Sequence, residues 1–299
     1  MAEAEFLFEQ GIAAINSFGL IGRIYVCPIC ATGFDEDALT ERYLTKEHAP
    51  PKSAGGRALL LTCKRCNGLA GSQYDHQPVA RMEYLNAMDS ILSSGLSSVP
   101  AIMLEIDGIR VNARLTKDGA TTSFAVDPDH NDPKMVDRFH KALAGSNEGL
   151  KINLKYKSKL ILRRASISDL KSCFIILAAK FGYSYALHDT LSKVRDQLQH
   201  PETDVHAHVY TRADSLPENS IFVSEQFGVV ILRFFGYSHV MPWITHDYDH
   251  FQSHKSSGLK FTAHAKVLPF PKNFEALLDS SGKSGLALRI EPPTNGTPG

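Results

Sequence analysis

The sequence predicts an α+β protein built as two units, and three observations carry that prediction. Two cysteine pairs, Cys27-Pro28-Ile29-Cys30 and Cys63-Lys64-Arg65-Cys66, organise the first part of the chain. Near Pro100 the apolar spacing changes from the three-to-four interval of a helix to the two-residue alternation of strands. Beyond that point short alternating runs are separated by Asp-Gly-type turns, which join antiparallel neighbours.

Size and composition agree. At roughly 150 residues per domain, a chain of 299 residues suggests two domains, each able to bury a core. With 43% hydrophobic and 21% charged residues the chain is of ordinary globular composition, which excludes a wholly disordered or collagen-like protein. No run approaches the ~20 apolar residues of a membrane span. The start, MAEAEFLFEQ, is acidic and lacks the basic and apolar regions of a secretory signal, so a cytoplasmic protein with no membrane partner is expected. Lys+Arg and Asp+Glu both number 32, so a nucleic-acid partner would need a local basic surface.

Taken in order, residues 1–20 read as a short helix with Phe6, Ile12, Ala13 and Ile15 on one side. The cysteine segment runs from about Ile24 to His76. Met82, Leu85, Met88 and Leu92 then recur at helical spacing. The small, polar, Pro-terminated stretch Ser93–Pro100 sets the expected boundary between a domain at 1–95 and one at 100–290. Residues 101–106, 109–115 and 121–126 read as a three-stranded meander with turns at Asp107-Gly108 and Lys117-Asp118-Gly119. Asp132 followed by Pro133 opens a helix through Leu143, and residues 151–162 read as a strand. Helices follow at 168–181, ended by Gly182, and at 191–199, stopped by Pro201. Strands at 221–223, 228–235 and 259–267 and a frayed tail at 291–299 complete the reading.

The two-residue gap within each cysteine pair lets both thiolates reach one ion. Two such knuckles, 32 residues apart, complete a tetrahedral four-sulfur site suited to Zn2+. Five cysteines in a chain of this length do not make a disulfide scaffold. The polar segment between the pairs has little core of its own, so binding free energy of ~10 kcal/mol or more would act as folding free energy. A closed four-thiolate site has no open coordination position, so any catalysis must come from other residues. Cys173 lies with Leu170, Phe174, Leu177 and Phe181 on one apolar helix face and reads as a core thiol. His246, His250 and His254, spaced by four, and His206 and His208, spaced by two, sit among turn-forming residues and read as polar loops.

Between the pairs run Leu44-Thr45-Lys46-Glu47-His48-Ala49-Pro50-Pro51 and the turn Gly55-Gly56, and Asn67 directly follows Cys66. This arrangement resembles the HNH endonucleases, most closely the subgroup whose site is braced by a four-cysteine zinc. The resemblance covers about Cys27 to Asp75, a quarter of the chain, and not the C-terminal two-thirds. It implies a treble-clef-like ββα-metal fold, with His48 as the general base that activates water. It further implies that Glu47 and Asn67 hold a catalytic Mg2+ or similar cation, and that the substrate is DNA, with RNA as the alternative. The residue types suit that chemistry. Phosphodiester hydrolysis needs a base, which a neutral imidazole supplies near pH 7, and a hard cation, which carboxylate and amide oxygens hold.

Adjacent strand residues point to opposite faces, so Glu47 and His48 share a site only if the strand ends or bulges there. Ala70 stands where the family often has a lysine. The third cation ligand is expected from Asp75, or from His76, with Gly68 and Gly71 breaking the helix to bring it in. A separate basic stripe, Lys151, Lys155, Lys157 and Lys159 on one strand face extended by Arg163 and Arg164, is a candidate phosphate-binding surface or a solubilised strand edge. The competing function is a non-catalytic, zinc-stabilised module that binds nucleic acid or protein.

Overall fold

The computed structural model describes residues 3–17, 19, 22–92, 101–118, 121–145, 152–156, 158–206, 209–212, 217–254 and 266–276. The expected tail at 291–299 and the boundary segment at 93–100 lie outside them. The architecture is mixed α and antiparallel β, as the patterning predicts. The chain divides into two compact units, one formed by residues 1–78 with 162–299 and the other by residues 79–161. A single boundary at 93–100 therefore does not describe the packing. The middle segment forms a unit of its own, and the N-terminal segment packs with residues far along the chain.

In the larger unit α1 (Glu3–Ser17) buries Leu7, Phe8, Ile12 and Ile15, while Phe6 and Ala13 of the expected face are exposed. Two short strands, β1 (Tyr25–Val26) and β2 (Gly33–Phe34), pair around the first cysteine knuckle. After α2 (Asp37–Thr40) the chain forms β3 (Leu44–Ala49), a tight loop, β4 (Arg57–Cys63) and α3 (Lys64–Gln73). β3 and β4 are antiparallel. The loop depends on Gly56, since a Cβ there would lie 1.4 Å from Pro50 O. Helix α4 (Gln77–Leu92) follows, as its periodicity predicts, and all but its first two residues belong to the smaller unit.

The smaller unit contains β5 (Ala101–Ile106), β6 (Ile109–Asp118), β7 (Thr121–Val126), α5 (Pro133–Gly145) and β8 (Asn153–Tyr156). The sheet order is β7-β6-β5-β8. The β5–β6 turn has positive φ at both Asp107 and Gly108, the conformation an Asp-Gly hairpin requires. Asp132 caps α5 by accepting from Lys134 N at 2.9 Å. Phe139 of α5 is fully buried against Ile102, Leu104, Ile106, Val111 and Leu115.

Back in the larger unit, α6 (Leu162–Phe181) begins six residues before the expected start, so residues 162–164 belong to a helix and β8 ends at Tyr156. From Ile167 onward every residue of α6 is buried, so the helix beyond its first turn has no solvent face. Cys173 is among them, as expected. After α7 (Tyr183–Ala186) and α8 (Ser192–Gln199) come β9 (Val209–Arg212), β10 (Ser220–Ser224), β11 (Val229–Phe234), β12 (Tyr237–Pro242), α9 (Tyr248–His254) and β13 (Lys266–Pro269). These five strands form one antiparallel sheet in the order β13-β10-β11-β12-β9, with the central β11 buried throughout. α6 packs against β3, β4, α8 and β12, so it lies at the centre of the core. No helix among the described residues is long and apolar enough to cross a membrane.

Candidate functional site

The strand-to-helix junction at Cys63 places both cysteine pairs together. Cys27 and Cys30 flank the tight turn after β1. Cys63 ends β4 and caps α3, and Cys66 lies in the first turn of α3. All four sulfurs lie within 4.8 Å of one another. Cys30 Sγ and Cys63 Sγ are 3.7 Å apart, close to the edge of about 3.8 Å that tetrahedral Zn–S bonds of ~2.3 Å produce. Backbone N–H groups point at the sulfurs: Cys63 N donates to Cys27 Sγ at 3.4 Å and Cys66 N to Cys63 Sγ at 3.5 Å. Burial pulls the Arg65 guanidinium down, but the thiolates of Cys30, Cys66 and Cys63 together push it above its usual value, a sign of the negative charge gathered here. This donor set fits a structural zinc ion, and with four sulfurs around it the site is closed. Among the described residues no other group of three or more metal-ligating Cys, His, Asp or Glu side chains comes together.

Beside this cluster, Lys46, Glu47, His48, Lys52, Asn67, Asp75 and His76 share the walls of one cleft of about 340 Å3. The strand irregularity that lets neighbouring Glu47 and His48 face it is present. Glu47 pairs with Leu60 but His48 with Ala58, which leaves Leu59 as the extra residue of a bulge. His48 is half-buried. Burial pushes its imidazole below the usual value, Lys46 and Lys52 act in the same direction, and Glu47 and Glu3 oppose them. The neutral form, the one able to accept a proton, is therefore the form present near pH 7.

Asn67 is held by α3, immediately after a zinc-site cysteine. Its Nδ2 donates to Thr45 Oγ1 at 2.8 Å and to Lys46 O at 3.2 Å, tying the helix to the strand that carries His48. Asp75 reaches the cleft without any break at Gly68 or Gly71, both of which lie inside α3. The helix ends at Gln73, and Tyr74 N and Asp75 N both donate to Ala70 O, which satisfies that carbonyl and holds the chain at Asp75 against the end of the helix. His76 lines the cleft as well, with its Nε2 2.6 Å from the side-chain nitrogen of Gln77.

Glu47 departs from its expected role. It is 2% exposed and both of its oxygens are engaged. Oε1 lies 2.7 Å from Lys171 Nζ, and Oε2 accepts from Thr62 Oγ1 at 2.9 Å. The same ammonium is 2.7 Å from Asp75 Oδ2. Asp75 Oδ1 is buried with no hydrogen-bond partner among the described residues, and burial pushes this carboxyl up despite the pull of Lys171. Glu47, Asn67 and Asp75 thus face one cleft, as expected of ligands to one ion, with the Lys171 ammonium seated between the two carboxylates. The amide nitrogen of Asn67 is committed to the strand, which leaves its oxygen as the atom that can meet a ligand, and an ammonium sits against both carboxylates.

Lys171 is the site residue that the motif does not contain, because α6 supplies it from 124 positions beyond Glu47. One signal in the sequence points to it. Residues 173–179 are apolar on every side, so the helix has no solvent face, and a lysine within it must find buried partners.

The basic stripe is dispersed. Lys151 and Lys157 lie outside the described residues. Lys155 on β8 is paired with Glu105 at 2.9 Å, and Lys159 lies beyond the end of that strand. Arg163 belongs to the first turn of α6, where it meets Asp204 at 3.1 Å. Arg163 and Arg164 therefore do not extend a strand face. Of the histidine sets, His246 and His250 stack at 3.9 Å on and beside α9, and His206 is buried with Nδ1 2.6 Å from Tyr248 Oη; His208 is outside the described residues. The loop reading holds for His206 and His246, which lie in bends, whereas His250 and His254 belong to α9.

Comparison with known proteins finds no matching family, no similar curated protein and no similar solved structure.

Proposed function

We propose that the protein is an endonuclease of the HNH type that hydrolyses phosphodiester bonds of DNA, with His48 as the general base. The observation that carries this reading is the half-buried His48 imidazole. It is kept neutral by its surroundings and opens into a cleft shared with Asn67, Asp75 and two lysines, beside a four-thiolate cluster.

In this reading the neutral imidazole takes a proton from the attacking water. The hydrogen bonds from Asn67 to Thr45 and Lys46 fix the strand that carries the base, so its aim is set before substrate arrives. Lys52 on the cleft wall supplies positive charge toward a bound phosphate, while Lys46 beside it is paired with Glu3 at 2.6 Å. Zinc held by Cys27, Cys30, Cys63 and Cys66 would keep β4 and α3 in register and take no part in proton transfer. No step is assigned to a divalent cation, because the Lys171 ammonium already sits between Glu47 and Asp75 and offsets one of their two charges.

A plasmid-nicking assay on zinc-loaded protein, with and without added Mg2+ or Mn2+, tests the proposal. Wild type is expected to convert supercoiled plasmid to open circles, and His48→Ala to lose at least ~100-fold of that rate. Equal nicking by both proteins removes the base assignment. Binding of DNA without nicking under any metal condition favours the zinc-stabilised binding module instead.

A further inference from the structure

The ammonium of Lys171 sits 2.7 Å from one oxygen of Glu47 and 2.7 Å from one oxygen of Asp75, and the lysine side chain has no exposed surface. Two carboxylates that converge on one point from different elements make a cation site. A divalent ion entering at that point would meet the ammonium at contact distance. The ammonium has no route away, because α6 is buried on every side around it. Thr62 Oγ1 donates to the second oxygen of Glu47, so Glu47 is held on both oxygens around a fixed positive charge on the protein. Glu47 is joined by a peptide bond to His48, at the bulge in the pairing, so whatever fixes Glu47 also fixes the backbone that aims the imidazole.

We infer that Lys171 is the resident cation of this site: its ammonium holds the place between Glu47 and Asp75 that a divalent ion would otherwise occupy. Lys171 is a positioning residue, since its buried nitrogen reaches neither substrate nor reacting atoms. The functional meaning of this inference rests on the nuclease reading, but the occupancy of the carboxylate pair does not.

The test is a Mn2+ titration of the full-length, zinc-loaded protein, followed by electron paramagnetic resonance. Wild-type binding is expected to be unchanged by Glu47→Gln or Asp75→Asn. Lys171→Ala, which removes the ammonium and leaves space for an ion, is expected to gain a Mn2+ site at least about tenfold tighter than any in wild type, since ligand charge sets affinity at such sites. Lys171→Ala/Asp75→Asn should lose that gain, and Lys171→Arg, which keeps the positive charge, should not show it. A wild-type Mn2+ site weakened tenfold or more by Glu47→Gln or Asp75→Asn overturns the inference, as does a folded Lys171→Ala that gains no site. If Lys171→Ala shows no cooperative melting, the comparison of wild type with the two carboxylate variants decides alone. Absence of nicking by wild type would sink the nuclease proposal and leave the Mn2+ result standing. A wild-type ion on Glu47 and Asp75 would sink this inference and leave the nuclease proposal intact.

Discussion

The four-thiolate cluster and the carboxylate–lysine cluster brace the same segment, β3 through α3, by different physical means. The first is assembled almost entirely from neighbours. Each knuckle is a pair separated by two residues, and backbone N–H groups of the second knuckle point at the sulfurs, Cys66 N at Cys63 within its own turn and Cys63 N at Cys27 across the cluster. The second joins Glu47 and Asp75 to a lysine on a helix from the far half of the chain. The sulfur cluster is arranged so that a metal from outside could hold it together, whereas the oxygen cluster carries its own cation. The comparison teaches that a short motif can specify the ligands of a local site while leaving its charge balance to distant residues.

The largest effect that would break or sharpen this comparison is expected at the sulfurs. Replacing Cys66 with Ser, or stripping the metal with a thiol-reactive agent, should remove ~10 kcal/mol or more of folding free energy from this segment, read as loss of zinc and of cooperative melting. A variant that melts like wild type without zinc would contradict a structural ion. Next comes the buried lysine. Lys171→Met leaves two carboxylates uncompensated and should cost about 3–5 kcal/mol in denaturant unfolding, more than any exposed ion pair of this protein. Burial opposes the charge of Lys171, but Glu47 and Asp75 outweigh it and hold its pKa above the usual lysine value. The part set by the titration of Lys171 is therefore present below about pH 10 and is lost as pH rises through the folded-state value, while protonation of the raised Asp75 weakens the pairing on the acid side.

How far each cluster could be read from the sequence follows the same division. Cysteine spacing is a local signal, so Cys27, Cys30, Cys63 and Cys66 were legible together. The meander and α5 were legible because Asp-Gly and Asp-Pro carry specific backbone geometry. The need for a bulge between Glu47 and His48 followed from strand geometry, and the pairing shows it. Lys171 was not legible from the motif, because its partners lie in a segment with no sequence relation to α6. The start of α6 was misplaced for a related reason. Alternating Lys and Leu through residues 151–162 match a strand, but burial of the helix face beyond them carries Leu162 and its neighbours into α6. The discontinuous larger unit has the same origin: a contact 124 residues long leaves no periodic trace.

Smaller effects refine the picture around the base. Gly56→Ala forces the loop away from Pro50 O and should cost on the order of 1–3 kcal/mol, with a parallel loss of nicking as the strand that carries His48 shifts. Asn67→Ala breaks the tie from α3 to β3 and should cost about 1 kcal/mol in unfolding, with a larger relative fall in nicking than in stability. In the pH profile, activity requires neutral imidazole, so it should fall only as pH drops through the lowered value of His48. The acid limb of nicking is thus expected below the ordinary imidazole value of about 6.5. An acid limb above that value would mean that the titrating base is another group.

The measurement that bears most directly on the central claim is chemical rescue of His48→Gly with free imidazole in a single-turnover cleavage assay on duplex DNA. Cleavage should be lost in the variant, return in proportion to added neutral imidazole, and leave zinc content and melting unchanged. Cleavage by His48→Gly at the wild-type rate, with no response to imidazole, would contradict His48 as the proton acceptor.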